Sequence, residues 1–307
     1  MKIVFLDADT LGSDADFSPI EKKGDFIIYQ SSTPEDVLSR ISDCDVLIVN
    51  KVIIGSREIE AAAILKLICV AATGTNNIDI EYALKRGIAV RNAVDYSTES
   101  VAQTTIGSLL ALVNKTHFFD SRVKSGVYSR SNNFTDTGGV FTELKGKSFG
   151  VIGMGNIGKR VASIAESLGC RIMYYATSGK AHYDKYLSVP LEVLLRECDI
   201  VSIHAPLNSN TSNLLTLDKL RLMKSHSILI NMGRGGIVNE KELAFALDNS
   251  IIGGAVVDVY EKEPISSHHP FLKLKDPSKV ILTPHIGWAS IEARRKLIEK
   301  IAENIYL

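Results

Sequence analysis

The fold of this chain is decided by the stretch Phe149-Gly150-Val151-Ile152-Gly153-Met154-Gly155-Asn156-Ile157-Gly158. An apolar run typical of a buried strand meets a Gly-x-Gly-x-x-Gly turn, and a helical pattern follows over 157–168. In that context Gly153 permits a tight turn, Gly155 lets the backbone approach a pyrophosphate, and Gly158 lets the helix pack closely on the strand. The stretch therefore predicts a strand–turn–helix unit whose helix N-terminus binds the phosphates of a dinucleotide.

The same alternation of short apolar runs and helical patterns extends along the chain in both directions. Strands are predicted at residues 3–6, 25–29, 45–49, 67–71, 88–90, 148–152, 171–175, 200–204, 228–230, 254–259 and 280–282. Short apolar strands separated by helices indicate parallel sheets covered on both faces. With 307 residues and roughly 150 residues per domain, we expect about two α/β domains.

Some segments between the strands carry their own signals. Ser56 is predicted to cap a helix that runs to Ala63, and residues 125–139 are polar enough to predict a surface loop. The helix predicted over 99–114 has a wide apolar face, which indicates burial within a domain or against another subunit.

The composition excludes several classes of protein. Basic and acidic side chains balance at 35 each, and hydrophobic residues make up 45% of the chain. This argues against a disordered chain and against a general nucleic-acid binder. No apolar segment is long enough to cross a membrane, so no membrane contact is expected. The four cysteines have apolar neighbours, which predicts buried free thiols and a reducing, cytoplasmic location. The only histidine pair, His268-His269, lacks other ligands at metal spacing, so we expect no metal.

Three residues of complementary chemistry follow strands in the second half of the chain. Arg234 follows the strand 228–230, Glu263 follows 254–259, and His285 follows 280–282. Ligands of open α/β sheets bind outside the carboxyl ends of the strands, so these residues and the glycine turn are expected at one edge. A guanidinium grips a carboxylate with two hydrogen bonds, a histidine exchanges a proton with a carbonyl oxygen, and a glutamate beside it favours the imidazolium. Together they predict the reduction of a 2-oxo acid by a bound hydride donor.

The second strand of this half ends without the acid that usually binds the ribose of NAD. Its place is taken by Ala176, followed by Thr177, Ser178 and Lys180. Hydroxyl groups could replace the acid in binding NAD, or Ser178 and Lys180 could contact the 2′-phosphate of NADP. The sequence slightly favours NAD with relaxed discrimination.

The chain resembles the D-isomer-specific 2-hydroxyacid dehydrogenase family over almost its full length. The similar stretches are Ala72 to Asp79, the glycine turn, Ile230 to Val238, Gly254 to Pro264, and Thr283 to Trp288. Within the family it is similar to the glycerate dehydrogenase, or hydroxypyruvate reductase, subgroup, which favours glycerate, hydroxypyruvate or glyoxylate as substrate.

The resemblance implies two doubly wound parallel-sheet domains. A Rossmann NAD(P)-binding domain at 99–286 would be inserted into a flavodoxin-like substrate domain at 1–98 and 287–307. It implies Arg234, Glu263 and His285 as catalytic residues, and a homodimer formed through the helix over 99–114. Substrate contacts are expected at Asn50, Lys51, Gly74, Thr75, Arg234, His285 and Trp288. Cofactor contacts are expected at Thr73, Gly153, Gly155, Asn156, Ile157, Gly158, Ala176, Thr177, Ser178, Pro206, Met232, Gly233, Arg234, Asp258, His285 and Gly287.

Two other functions compete with a 2-hydroxyacid dehydrogenase. A dinucleotide-sensing binding protein could use the same fold without turnover, but it would need no proton donor. A dehydrogenase of a one-carbon anion such as formate would need no carbonyl proton donor paired with a glutamate.

Overall fold

A computed structural model describes residues 1–306 of the chain. The chain forms two compact units, of which unit 1 comprises Met1–Ser97 with Trp288–Leu307 and unit 2 comprises Thr98–Gly287. In unit 1 the rings of Tyr96 and Trp288 meet with their centroids 6.3 Å apart. In unit 2 the Ser100 hydroxyl donates a 2.6 Å hydrogen bond to the Gly287 carbonyl. The chain thus leaves and re-enters unit 1 at the neighbouring residues Tyr96 and Trp288, and Ser100 and Gly287 likewise adjoin at the two ends of unit 2.

Twelve strands and eleven helices make up the regular structure of the described residues. The strands are β1 (Lys2–Phe5), β2 (Asp25–Ile28), β3 (Val46–Val49), β4 (Leu67–Val70), β5 (Ala89–Asn92), β6 (Ser148–Ile152), β7 (Arg171–Tyr175), β8 (Leu187–Ser188), β9 (Ile200–Ile203), β10 (Ile228–Asn231), β11 (Gly254–Val257) and β12 (Val280–Leu282). The helices are α1 (Ser18–Glu21), α2 (Pro34–Ile41), α3 (Ser56–Ala61), α4 (Ile80–Lys85), α5 (Thr98–Val113), α6 (Thr116–Lys124), α7 (Asn156–Ser167), α8 (Leu191–Glu197), α9 (Leu217–Leu220), α10 (Glu240–Asp248) and α11 (Ile291–Asn304). Short 3-10 turns lie at Ala8–Leu11, Tyr128–Arg130, Pro270–Lys273 and Pro277–Lys279.

The sheet of unit 1 is wholly parallel and runs in the order β2-β1-β3-β4-β5. This is the order of flavodoxin-like folds. Alternate residues of the strands point to opposite faces, and an apolar cluster covers each face. One cluster includes Phe5 and Ile48 with Leu297 of α11, and the other includes Leu47 and Ile68.

The sheet of unit 2 is also parallel, in the order β12-β11-β10-β9-β6-β7-β8. With its strands renumbered from β6 as the first, the sheet has the Rossmann order, with β12 added at one edge. The direction of the strand order reverses between β6 and β9. A large apolar cluster that includes Ile152, Val201 and Leu229 packs against the sheet. The prediction of two doubly wound parallel-sheet domains, one of Rossmann type, is confirmed.

One local prediction needs correction, and one helix was not predicted. The N-cap of α3 is Gly55, not Ser56, and the Glu58 side chain accepts the Gly55 N–H at 2.9 Å. The helix α6 was not predicted, because none of its residues is buried and no side chain caps its first turn. A helix that buries no side chain gives only a weak signal in the sequence.

The four cysteines Cys44, Cys69, Cys170 and Cys198 are buried and free, as predicted. Burial raises the pKa of the Cys44, Cys69 and Cys198 thiols to about 12, so they stay protonated at neutral pH. Within residues 1–306, no helix has the length and apolar character needed to cross a membrane. The same residues contain no group of three or more His, Cys, Asp or Glu side chains suited to a metal ion.

Candidate active site

The glycine turn after β6 has the geometry that a pyrophosphate needs. Gly153 has a φ of +93°, and a Cβ there would lie 2.9 Å from the Ala205 nitrogen. A Cβ at Gly158 would lie 2.2 Å from the Gly153 carbonyl oxygen, so α7 packs directly on the turn. A Cβ at Gly155 would meet no atom within 4 Å. Open space therefore lies beside the N-terminus of α7, and the turn fits a dinucleotide phosphate.

The loop that follows β7 carries no carboxylate from Ala176 to Tyr183. Ala176 is buried, and its carbonyl accepts the Gly179 N–H at 3.0 Å. The Ser178 hydroxyl donates to the Lys180 carbonyl at 3.2 Å. His182 joins this loop to the glycine turn, since its Nε2 lies 3.1 Å from the Met154 carbonyl oxygen. The charge of the loop comes from Lys180, so nothing in it repels an added phosphate.

His204 follows β9 and carries a buried atom without a partner. Its Nε2 lies 2.8 Å from the Ser202 hydroxyl, whereas its Nδ1 is buried with no hydrogen-bond partner in the described part of the chain. Burial lowers the pKa of His204 to about 3, so the ring is neutral at physiological pH. The residue stands beside the glycine turn, because the backbone of His204 and Ala205 limits the space at Gly153.

The position of Arg234 is set by Asn231, the last residue of β10. The buried Asn231 amide donates to the Arg234 carbonyl at 3.1 Å, and its oxygen accepts the Gly233 N–H at 3.1 Å. The guanidinium Nη1 donates to the Gly233 carbonyl at 2.8 Å. The side chain is half-buried at the carboxyl end of the sheet.

The carboxylate of Asp258 holds the turn that carries His285. It accepts the Thr283 hydroxyl at 2.6 Å and the backbone N–H groups of Ile286 and Gly287, each at 2.9 Å. The Asp258 carbonyl also accepts the His285 N–H at 2.8 Å. His285 has a φ of +55°, a left-handed conformation that the surrounding bonds stabilise.

Glu263 and His285 are in direct contact. Glu263 Oε2 lies 2.7 Å from His285 Nδ1, and the two side chains are 31% and 23% exposed. The other glutamate oxygen accepts the Tyr260 N–H at 2.9 Å. One carboxylate thus orients the ring through Nδ1 and leaves Nε2 for another partner. A histidine held in this way can give a proton to a substrate oxygen or take one from it.

In unit 1, the buried carboxylate of Asp7 organises the loop after β3. It accepts the N–H groups of Asn50 at 2.9 Å, Lys51 at 2.6 Å and Val52 at 3.1 Å. The Asn77 amide donates to the Val52 carbonyl at 2.8 Å. The structure therefore links the predicted substrate residues Asn50 and Lys51 to the loop after β4.

The other substrate residues predicted in unit 1 lie on that second loop and beside α11. Gly74 and Thr75 are partly exposed. Thr73, predicted as a cofactor contact, lies on the same loop, and its hydroxyl donates to the Ala93 carbonyl at 3.0 Å. Trp288 packs edge-on against Tyr96.

The remaining predicted cofactor residues of unit 2 follow the carboxyl ends of its strands. Pro206 is exposed after β9, and Met232 is buried after β10. A Cβ at Gly233 would lie 2.9 Å from the Ala205 carbonyl, and one at Gly287 would lie 2.9 Å from Asp258 Oδ2. Asn156, Ile157, Thr177 and Ser178 lie in the first turn of α7 and in the loop after β7.

Sequence reasoning did not predict the roles of Asp7, Asn231 and His204. It predicted Asp258 as a cofactor contact, but not as the residue that holds the turn at His285. The side chains of Asp7, Asn231 and Asp258 bond to the backbone of loops, in the case of Asp7 more than 40 residues away, whereas His204 contacts the Ser202 hydroxyl. Spacing carries no signal for such bonds. A weak signal exists only in position, because each residue lies at or just beyond the end of a strand.

A Rossmann sheet with an open glycine turn, together with a histidine–glutamate pair beside strand ends, defines a dinucleotide-dependent oxidoreductase. The family model for the NAD-binding domain of D-isomer specific 2-hydroxyacid dehydrogenases matches residues 106–287. The chain belongs to this family.

Relatives along the whole chain agree with this assignment. The chain is 33% identical over 305 residues to a glycerate dehydrogenase of Methylorubrum extorquens, covering 99% of this chain and 95% of that one. A structure of D-lactate dehydrogenase from Aquifex aeolicus with NAD and lactic acid matches with a TM-score of 0.85 and 25% identity, covering 98% and 93% of the two chains. An acyclic imino acid reductase in complex with NADPH and D-Arg matches with a TM-score of 0.87 and 29% identity, covering 99% and 95%.

These matches favour an NAD(P)-dependent enzyme over a binding protein without turnover. Members of the family bind nicotinamide cofactors, and both structural relatives are complexes with one.

Proposed function

We propose that this protein interconverts a small 2-oxo acid and the corresponding D-2-hydroxy acid, with glyoxylate and hydroxypyruvate as the favoured oxo acids. The observation that carries the proposal is the 2.7 Å contact between His285 Nδ1 and Glu263. It provides a proton donor of the kind that carbonyl reduction needs. Relatives named glycerate dehydrogenase, glyoxylate reductase and hydroxypyruvate reductase support this choice of acids.

Each side chain has a distinct role in this proposal. His285 donates a proton from Nε2 to the carbonyl oxygen during reduction and takes it back during oxidation. Glu263 stabilises the imidazolium and fixes the ring. Arg234 binds the substrate carboxylate and polarises the carbonyl, a task suited to the planar guanidinium. The backbone amides of Gly74 and Thr75, with Asn50, Lys51 and Trp288, bind the rest of the acid.

The proposed cofactor contacts are the residues of the glycine turn, the loop after β7 and the strand ends from Pro206 to Gly287. The open space beside Gly155 and the α7 N-terminus would hold the pyrophosphate. The nicotinamide, when bound, supplies or accepts the hydride. In this proposal residues 99–286 form the cofactor-binding domain and also carry Arg234, Glu263 and His285, while residues 1–98 and 287–307 form the substrate domain. The four reduced thiols suit a cytoplasmic location.

The proposal is tested with a panel of 2-oxo acids, each assayed with NADH and with NADPH. We expect turnover on glyoxylate or hydroxypyruvate. In the His285→Ala variant, kcat for reduction should fall by roughly 10²- to 10⁴-fold, the usual contribution of a positioned general acid. His268→Ala is the control, because His268 is exposed and does not belong to the proposed site.

Two results would contradict the proposal. Absence of turnover on every acid with both cofactors would favour a binding protein. A His285→Ala enzyme with near wild-type kcat would remove His285 as the proton donor.

A further inference from the structure

A buried histidine–carboxylate contact adjoins the loop that carries Glu263. Glu240 is the first residue of α10, and its Oε2 lies 2.8 Å from His269 Nε2. The two side chains are only 11% and 10% exposed. A buried pair of this kind is costly unless the groups are fully hydrogen-bonded, so its partners indicate its purpose.

The hydrogen bonds of His269 assign its protons. Its Nδ1 accepts the Phe271 N–H at 3.4 Å, so the ring proton belongs on Nε2 and is donated to Glu240. The ring also packs against Tyr260 and Phe271, with centroids 5.8 and 4.9 Å away. The neutral ring therefore satisfies both neighbours and acts as a fixed donor to the Glu240 carboxylate.

The carboxylate of Glu240 reaches the loop that carries Glu263. Its Oε1 accepts the Glu261 N–H at 2.7 Å, two residues before Glu263. Within the same loop, Glu263 Oε1 accepts the Tyr260 N–H. The positive end of α10 adds to the stability of a carboxylate in its first turn.

The 260–263 turn is thus held at two points by two different carboxylates. Glu263 closes the turn from within, and Glu240 fixes it from α10. A small displacement of this turn would move Glu263 relative to His285, whose own turn is held separately by Asp258.

We infer that Glu240 and His269 are positioning residues for catalysis: the His269–Glu240 contact fixes the 260–263 turn so that Glu263 meets His285 Nδ1. The inference rests on the proposed function of His285 as proton donor. It assigns no contact with substrate or cofactor to either residue.

The test compares Glu240→Gln with the matched control Glu242→Gln in the full-length enzyme. Glu242 is also partly buried on α10 and also accepts a backbone N–H, that of Leu217 at the start of α9. The amide of Glu240→Gln can accept from Glu261 or from His269, but not from both. We expect reductive kcat to fall by about tenfold to hundredfold in Glu240→Gln, the size of effect that a displacement of about 1 Å produces. The KM for the dinucleotide should change by no more than about twofold.

A second pair of variants separates hydrogen bonding from packing. His269→Leu fills the space without a donor and should reproduce the loss of kcat. His269→Gln places an amide N–H near the position of Nε2 and should restore most of the activity. If Glu240→Gln fails to fold, the comparison of His269→Leu with His269→Gln decides the matter.

A spectroscopic readout does not depend on turnover. The proton shared by His285 Nδ1 and Glu263 should give a downfield signal in protein with ¹⁵N-labelled histidine. We expect this signal to broaden or move upfield in Glu240→Gln and His269→Leu, but not in Glu242→Gln.

Two outcomes overturn the inference while leaving the proposed function intact. One is an equal kcat in Glu240→Gln and Glu242→Gln. The other is an unchanged His285 proton signal in Glu240→Gln and His269→Leu. Failure of the wild type to turn over any 2-oxo acid would instead refute the proposed function, and the His285 signal would still test the positioning.

Discussion

Single polar side chains hold the loops of this site in position. Asp258 fixes the left-handed turn at His285 through three acceptor bonds, and Asp7 does the same for the loop of Asn50 and Lys51. Both carboxylates are buried, so losing these bonds would leave a charged group in the interior without hydrogen-bond partners. Each carboxylate thus holds several groups of one loop in place.

A different residue, His204, makes stability depend on pH. Its pKa is about 3 in the folded protein, against about 6.5 in an unfolded chain. Between these values the unfolded chain binds a proton that the folded protein does not. The free energy of unfolding should therefore fall as the pH drops below about 6.5, by at most about 1.4 kcal/mol per pH unit from this residue.

The measurement is urea unfolding of the wild type and His204→Gln at several pH values from 7.5 to 4.5. We expect a weaker pH dependence in the variant, because glutamine does not titrate. His268→Gln, at an exposed histidine, should keep the wild-type dependence. Parallel curves for the wild type and His204→Gln would refute the assignment.

Among the elements, we expect the loop after β7 to decide the choice between the two cofactors. It has Ala176 where an acid would bind the ribose hydroxyl and repel a 2′-phosphate. We expect Ala176→Asp to lower kcat/KM with NADPH by about tenfold or more, while kcat/KM with NADH is kept or increased.

Parallel assays with NADH and NADPH check this expectation. Ala176→Asn is the matched control, because it adds similar bulk without charge and should discriminate far less. An equal loss with both cofactors in Ala176→Asp would show that the position acts through packing alone.

The elements also show where sequence reasoning succeeds. The strand–turn–helix unit of β6 and α7 was predictable, because an apolar run, three glycines and an amphipathic helix all indicate the same structure. By contrast, α6 buries no residue, and Lys115 before it has a left-handed conformation and makes no capping hydrogen bond. Neither a buried apolar face nor a capping residue therefore predicts this helix.

For the site, the sequence predicted which residues gather at strand ends but not what holds them. The contact between Glu263 and His285 was expected from chemistry. The bonds from Asp258 and Glu240 were not, since they join side chains to distant backbone groups.

At the scale of the whole molecule, we propose a homodimer. The segment from α6 to residue 141 carries exposed apolar side chains, among them Phe134 at 92%, Val140 at 78% and Phe141 at 57% exposure. An apolar surface of this kind in a globular protein indicates contact with another chain. The resemblance to the family had implied a dimer through the preceding helix, α5.

Sedimentation velocity should give twice the mass of the chain for the wild type. We expect Phe134→Glu combined with Phe141→Glu to shift the protein to the monomer, because burying the new charges would be costly. Leu187→Glu, at a 65% exposed residue elsewhere in unit 2, should leave the dimer intact. A monomeric wild type would refute the proposal.

The meeting of the chain ends within each unit has a consequence for the history of such genes. Ser100 bonds to Gly287 in unit 2, and Tyr96 packs on Trp288 in unit 1. A segment whose ends adjoin can be spliced into a loop of a host protein without disturbing either core. Two recombination events, one near codon 98 and one near codon 287, would transfer a complete nucleotide-binding module between genes. Cofactor preference would therefore be inherited together with Arg234 and His285, but separately from the loops of unit 1.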